Sequence, residues 1–191
     1  EELNSIFSPV HESDSGTRMK KLNVVIIILE SFSREFVGFY NRERENGMYK
    51  GYTPFLDSLA VHAKTFKFSL ANGRKSIDAL PSVIGSIPSL EVPYVLTPYS
   101  GNRLNALGNL LKQEGYHTSF FHGAPNGSMG FSSFMNIAGI DHYVGMDEYP
   151  NPDDYDGLWG IWDDKFFQFW VQQENKFPQP FFSTLFSVSS H

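Results

Sequence analysis

The chain has no cysteine among its 191 residues, which excludes thiol nucleophiles, thiolate metal sites and disulfides. It has no apolar run approaching the roughly 20 residues that span a bilayer and no signal peptide at its start, so the piece given is expected to be soluble. It has no stripe of Lys and Arg. Lys20, Lys21 and the Arg42 to Arg44 stretch are short, and the formal net charge is −6, which excludes a nucleic-acid partner because nothing offers a phosphate-neutralising footprint. Internal repeats and low-complexity tracts are missing too. Aromatic residues, in contrast, are plentiful at 16%, including 18 Phe, enough apolar bulk for one α/β core or most of a larger one.

Patterning divides the chain in two unequal parts. Residues 1–22 are polar and unpatterned and read as a linker. From Asn23 onward, apolar periodicity alternates between strand and helix. Val24 to Leu29 is a continuous β-branched run, expected to be a strand buried on both faces. Ser31 to Tyr40 follows as a first helix, and Thr53 and Pro54 open a second, with Phe55, Leu56, Leu59, Ala60 and Ala63 at helical spacing. Thr65 to Leu70 alternates as a strand would. A turn over residues 71–76 precedes a helix from Ile77 to Ile84 that ends at Gly85. Arg103 to Glu114 is amphipathic, His117 to His122 strand-like, Asp163 to Glu174 helical, and Phe181 to Val188 a last strand. Strands separated by helices imply a mostly parallel central sheet with helices on both faces, an α/β fold. The chain then stops at His191 on a strand with no closing element, so the piece is expected to lack the C-terminal part of its domain.

The residues able to carry chemistry gather at strand ends. Glu30 terminates the most apolar strand, and ligands of open α/β sheets bind beyond the carboxyl ends of the strands. Glu30 is therefore either a ligand for a metal or substrate, or an acid capping the next helix. Ser76 stands where a turn enters a helix, beside Arg74 and Lys75. A hydroxyl there faces an environment that stabilises a developing phosphoryl or sulfuryl anion, although an N-cap serine needs no further role. Serine also needs a base or a metal to ionise it, and Glu30 could supply one ligand. His122 and His191 end strands on the same rim. His62, His117 and His142 read as ordinary helix-surface or strand residues. Trp159, Trp162 and Trp170, with Phe166, Phe167 and Phe169, are either a sugar or membrane-interface patch or, on their helical spacing, core. Asp147, Glu148, Asp153, Asp154 and Asp156 lack the ligand spacing of an EF-hand loop and read as a solvated loop.

Asn23 to Phe32 (NVVIIILESF), Tyr52 to Ala60 (YTPFLDSLA), Asn72 to Pro88 (NGRKSIDALPSVIGSIP), Tyr116 to Gly123 and Phe181 to His191 together, in that order, resemble the lipoteichoic acid synthase-like branch of the alkaline phosphatase and sulfatase superfamily. The resemblance implies that residues 23–191 are the N-terminal portion of an extracytoplasmic sulfatase-like catalytic domain, tied to the cell membrane by an N-terminal anchor outside this piece. It implies a divalent metal ion (Mn, Mg, Ca or Zn) held by Glu30 and Ser76, with Ser76 as the attacking residue that forms a covalent intermediate. It implies that His122 and His191, with Arg74 and Lys75 nearby, hold the transferred group, and that the substrate is an anionic lipid headgroup or an envelope glycan. The family's later Asp-His ligand pair has no counterpart here, so the piece alone is expected to be inactive.

Two departures narrow the chemistry. Phosphoglycerol-transferring relatives carry a Trp and an Arg shortly after the His122 position, where this chain has Phe131, Ser132 and Ser133. Formylglycine sulfatases need a Cys or Ser followed by x-Pro-x-Arg, whereas Ser76 is followed by Ile77, Asp78, Ala79 and Leu80. Ser76 is thus expected to remain a serine, which favours phosphoryl over sulfuryl transfer. The alternatives are a sulfuric-ester hydrolase with the same constellation and a non-catalytic envelope-binding domain of the same fold.

Overall fold

In the computed structural model, which describes residues 16, 20–66, 68–89 and 91–190, the apolar run after Asn23 forms strand β1 (Val24–Ile28) of a four-stranded sheet. The others are β2 (His117–His122), β3 (His142–Val144) and β4 (Phe181–Phe186). Their order is β1-β4-β2-β3 and every pairing is parallel. The five α-helices among the described residues are α1 (Pro54–Ala60), α2 (Ala79–Gly85), α3 (Leu107–Gln113), α4 (Phe131–Ile137) and α5 (Asp163–Glu174). The linker expected over residues 1–22 and the last residue, His191, lie almost wholly outside the described residues.

Period-two alternation along the strands feeds two cores, one on each face. Phe120, Phe182 and Phe186 point to one side, where Leu80 and Ile84 of α2, the Leu107 and Leu111 side chains of α3, and Phe131, Phe134 and Met135 of α4 close over them. Phe121 and Leu185 point to the other, against Phe166 and Trp170 of α5. Covering both faces of a parallel sheet is what lets β4 be buried at every position.

Several expectations are corrected. β1 is not buried on both faces: Val24, Ile26 and Ile28 join the first core, but Val25 is 44% and Ile27 50% exposed, because α5 covers β2 and β4 and does not reach β1. The segment from Ser31 to Tyr40 is two 3₁₀ turns, Arg34–Phe36 and Gly38–Tyr40, rather than a helix. Among the described residues of the Thr65 to Leu70 segment there is no strand. Phe66, Phe68 and Leu70 are largely exposed, as alternation without a pairing partner leaves them. The helix expected to start at Arg103 starts at Leu107, and the one after Ser76 begins as a 3₁₀ turn, Ser76–Asp78, before α2. Of the tryptophans, Trp170 is core, while Trp159 and Trp162 are more than two fifths exposed. Strand β3 and helix α4 went unanticipated, being short and bounded by Gly130, Gly139 and Gly145.

Candidate active site

The register sets the level of the site. Ile28, Phe186 and His122 are cross-strand partners at the carboxyl ends of β1, β4 and β2, the edge of an α/β sheet that receives ligands. Beyond that edge lies a cleft of about 630 Å³.

Glu30 and Ser76 both line it, from segments remote in sequence, together with Arg74, Lys75 and Asp78. Two residues beyond the last pair of the β1–β4 ladder, Glu30 is held at both ends. Its backbone N–H donates to Ser187 Oγ at 2.8 Å, and its carboxylate Oε1 accepts from Ser31 Oγ at 2.9 Å. Ser31 achieves this with a φ of 48°, a left-handed conformation uncommon for residues other than Gly and Asn. Such strain is found where a site over-determines the backbone.

Ser76 is half-buried and opens the 3₁₀ turn. The loop before it is fixed from below. Asn72 Nδ2 donates to Ser82 Oγ at 2.8 Å and to the Ile87 carbonyl at 3.2 Å. Gly73 packs so closely on Asp78 that a Cβ there would meet Asp78 Oδ2 at 2.6 Å. The Asn-Gly pair thus presses the loop onto α2 and leaves the Arg74 and Lys75 side chains exposed at the rim.

His122 lies under the cleft rather than in its wall. It is 3% exposed, surrounded by Phe120, Phe131 and Phe186. Its Nδ1 is 3.0 Å from the Phe186 carbonyl. Because a carbonyl only accepts, Nδ1 carries the proton, and the neutral ring presents Nε2 as an acceptor. That Nε2 is buried with no hydrogen-bond partner among the described residues. Burial pushes the His122 pKa down, opposed by the bond to Phe186 and by the Asp163 and Glu30 charges. As imidazolium it would donate to a bound anion, and as the neutral ring it would accept. The placement of His191 lies outside the described residues.

A carboxylate and a hydroxyl lining one cleft are hard oxygen donors suited to a divalent cation. They make only part of a coordination shell, and among the described residues no group of three or more His, Asp or Glu side chains stands together as a metal cluster. The donor set fits one side of such a site.

Two residues that the sequence reading missed complete the arrangement. Ser187 supports Glu30, and Asp163 at the start of α5 accepts from the backbone N–H groups of Val188 at 2.8 Å and Ser189 at 2.9 Å. The one available signal was an acid in the first turn of α5, which the helix dipole alone would account for.

Compared with known proteins, residues 22–191 match the family model described as Sulfatase. A curated relative, lipoteichoic acid synthase-like YvgJ of Bacillus subtilis (strain 168), is 26% identical over 175 residues, 90% of this chain and 27% of that protein. Among solved structures, a protein in the alkaline phosphatase superfamily from Vibrio parahaemolyticus superposes with a TM-score of 0.79 at 28% identity, covering 92% of this chain and 42% of that one. The lipoteichoic acid synthase LtaP from Listeria monocytogenes gives 0.69 at 26% identity, covering 90% and 41%. The chain spans about a quarter of the length of the curated relative and about two fifths of the solved ones.

Proposed function

This chain belongs to the sulfatase family, and from that premise we propose that it forms part of a metal-dependent phosphoryl-group transferase or phosphoric-ester hydrolase with Ser76 as nucleophile. The observation that carries the reading is the meeting of Glu30, Ser76, Arg74 and Lys75 on one cleft at the carboxyl edge of the sheet. Ser76 Oγ attacks phosphorus and the ester oxygen leaves as an alcohol, taking up the proton that serine gives up. An acceptor hydroxyl or water then attacks the seryl phosphate and restores the serine. Glu30 and Ser76 would hold the divalent ion, which when bound lowers the hydroxyl pKa and spreads the developing charge. Arg74 and Lys75 draw an anionic group to the rim, and His122, once protonated at Nε2, would with His191 hold its non-bridging oxygens. The relatives named for lipoteichoic acid synthesis support an anionic lipid headgroup or envelope glycan as substrate, and a membrane-anchored protein with this domain outside the cytoplasm.

The test is mass spectrometry of Ser76 in the full-length protein after incubation with Mn²⁺ and mixed anionic phospholipids. A phosphoglycerol- or phospho-sized adduct, absent in Ser76→Ala, is the expected result. An unmodified Ser76 in protein shown to hold metal overturns phosphoryl transfer and leaves a sulfuric ester, or ligand binding without chemistry, as the role of the cleft.

A further inference from the structure

Four consecutive residues at the end of β4 and beyond reach three different elements. The Phe186 carbonyl accepts from His122 Nδ1 on β2 at 3.0 Å. Ser187 donates its N–H to the Ile28 carbonyl of β1 at 3.0 Å and accepts the Glu30 N–H on its hydroxyl at 2.8 Å. The Val188 and Ser189 N–H groups take one oxygen each of the Asp163 carboxylate, and the Asp163 N–H returns a bond to Ser189 Oγ at 2.8 Å. Neither Ser187 nor Asp163 lines the cleft.

An acid at a helix start is favourable wherever it points, so the dipole explains an aspartate at position 163. It does not explain why both oxygens are spent on the backbone of another segment. Charge-assisted bonds from two adjacent N–H groups to one carboxylate fix a peptide plane in orientation as well as position. That plane follows directly on the residue that holds Glu30.

We propose that residues 186–189 act as one positioning element for the cleft, with Asp163 as its anchor and Ser187 as its contact to Glu30, so that the Glu30 carboxylate and the His122 ring are set relative to each other by α5. Ser187 and Asp163 are positioning residues; neither touches the reacting atoms. The proposal rests on the reading of Glu30 as a metal ligand given above, and follows the general rule that groups orienting a ligand cost about 10- to 100-fold in metal affinity when lost.

The experiment uses the full-length protein free of metal, with amide hydrogen exchange read at Glu30 and, as internal reference, at Ile26 within the β1–β4 ladder. Ser187→Ala and the near-isosteric Asp163→Asn are both expected to speed exchange at Glu30 about tenfold while Ile26 keeps its wild-type rate. Mn²⁺ titration of the same variants is expected to show binding weakened about tenfold. If Asp163→Asn leaves Glu30 exchange at the wild-type rate, Asp163 serves α5 alone and the proposal is overturned. Where Glu30→Gln weakens Mn²⁺ binding, faster exchange with wild-type Mn²⁺ affinity overturns it equally. Failure of the underlying reading is separately visible: Glu30→Gln would then bind Mn²⁺ as wild type does, while the exchange data still decide whether α5 reaches Glu30 through residues 186–189.

Discussion

His117 and His122 begin and end the same strand in opposite circumstances. At the far end from the cleft, His117 stacks on His142 with ring centroids 4.5 Å apart and leans on Phe177 at 4.4 Å. Burial first, then the neighbouring imidazole, lower its pKa, against the pull of Asp141, which is itself paired with Lys112. A histidine whose folded pKa lies below its unfolded value of about 6.5 favours the unfolded chain once protons become available. Its stabilising share is complete above that value and lost as pH falls below it. Burial of His122 acts in the same direction. Glu174, raised by burial, acts in the opposite sense, its share being lost as pH rises above the ordinary carboxylate range. The melting temperature is therefore expected to drop between pH 7.5 and 5.5, and His117→Phe to flatten that drop; an unchanged slope would remove His117 from the account. At this scale Glu30 and Ser76 were legible because their chemistry conflicts with their surroundings, an acid closing an apolar strand and a hydroxyl beside two cations. Ser187 and Asp163 were not, since what they do depends on partners such as a Glu30 amide 157 residues away.

Helix α5 shows how far periodicity carries. Its bounds were readable to the residue because Phe166 and Trp170 recur at the spacing of one buried face. Composition then misled, because Trp162 stands just before the helix and is 49% exposed. Trp170 is 5% exposed, and its indole Nε1 donates to Ser183 Oγ inside the sheet at 2.9 Å. In urea unfolding, Trp170→Ala is expected to cost about 3–5 kcal/mol and Trp162→Ala no more than about 0.5 kcal/mol. Comparable losses from both would mean that Trp162 packs where the fold leaves it open. The alternating segment from Thr65 to Leu70 failed as a strand for a reason that no window of sequence contains. Alternation describes a surface that fits a sheet, and a strand exists only where an edge accepts it.

At the scale of the whole molecule, the mostly parallel sheet and its two covering layers were legible from element order, whereas the strand order was not. One flank stays apolar and open. Leu22, Val25, Ile27 and Leu29 line β1, and Phe55, Leu59, Val61, Phe66 and Leu70 are also exposed. Among the described residues, β1 pairs only with β4, so its other edge offers unpaired backbone groups beside aliphatic side chains, a template for association. Prepared as these 191 residues, the chain is expected to self-associate in light scattering. Ile27→Lys should reduce this, and scattering equal to that of the parent would place the contact elsewhere. β4, central in space, is also the last of the four strands to leave the ribosome. Until it arrives, β1 and β2 have no neighbour in common, and the acid, the serine and the buried imidazole are synthesised long before anything can hold them together. Assembly of the cleft is thus a single late event, governed by closure of a contact of very high sequence separation, and the exposed β1 must be kept from other partners throughout that wait.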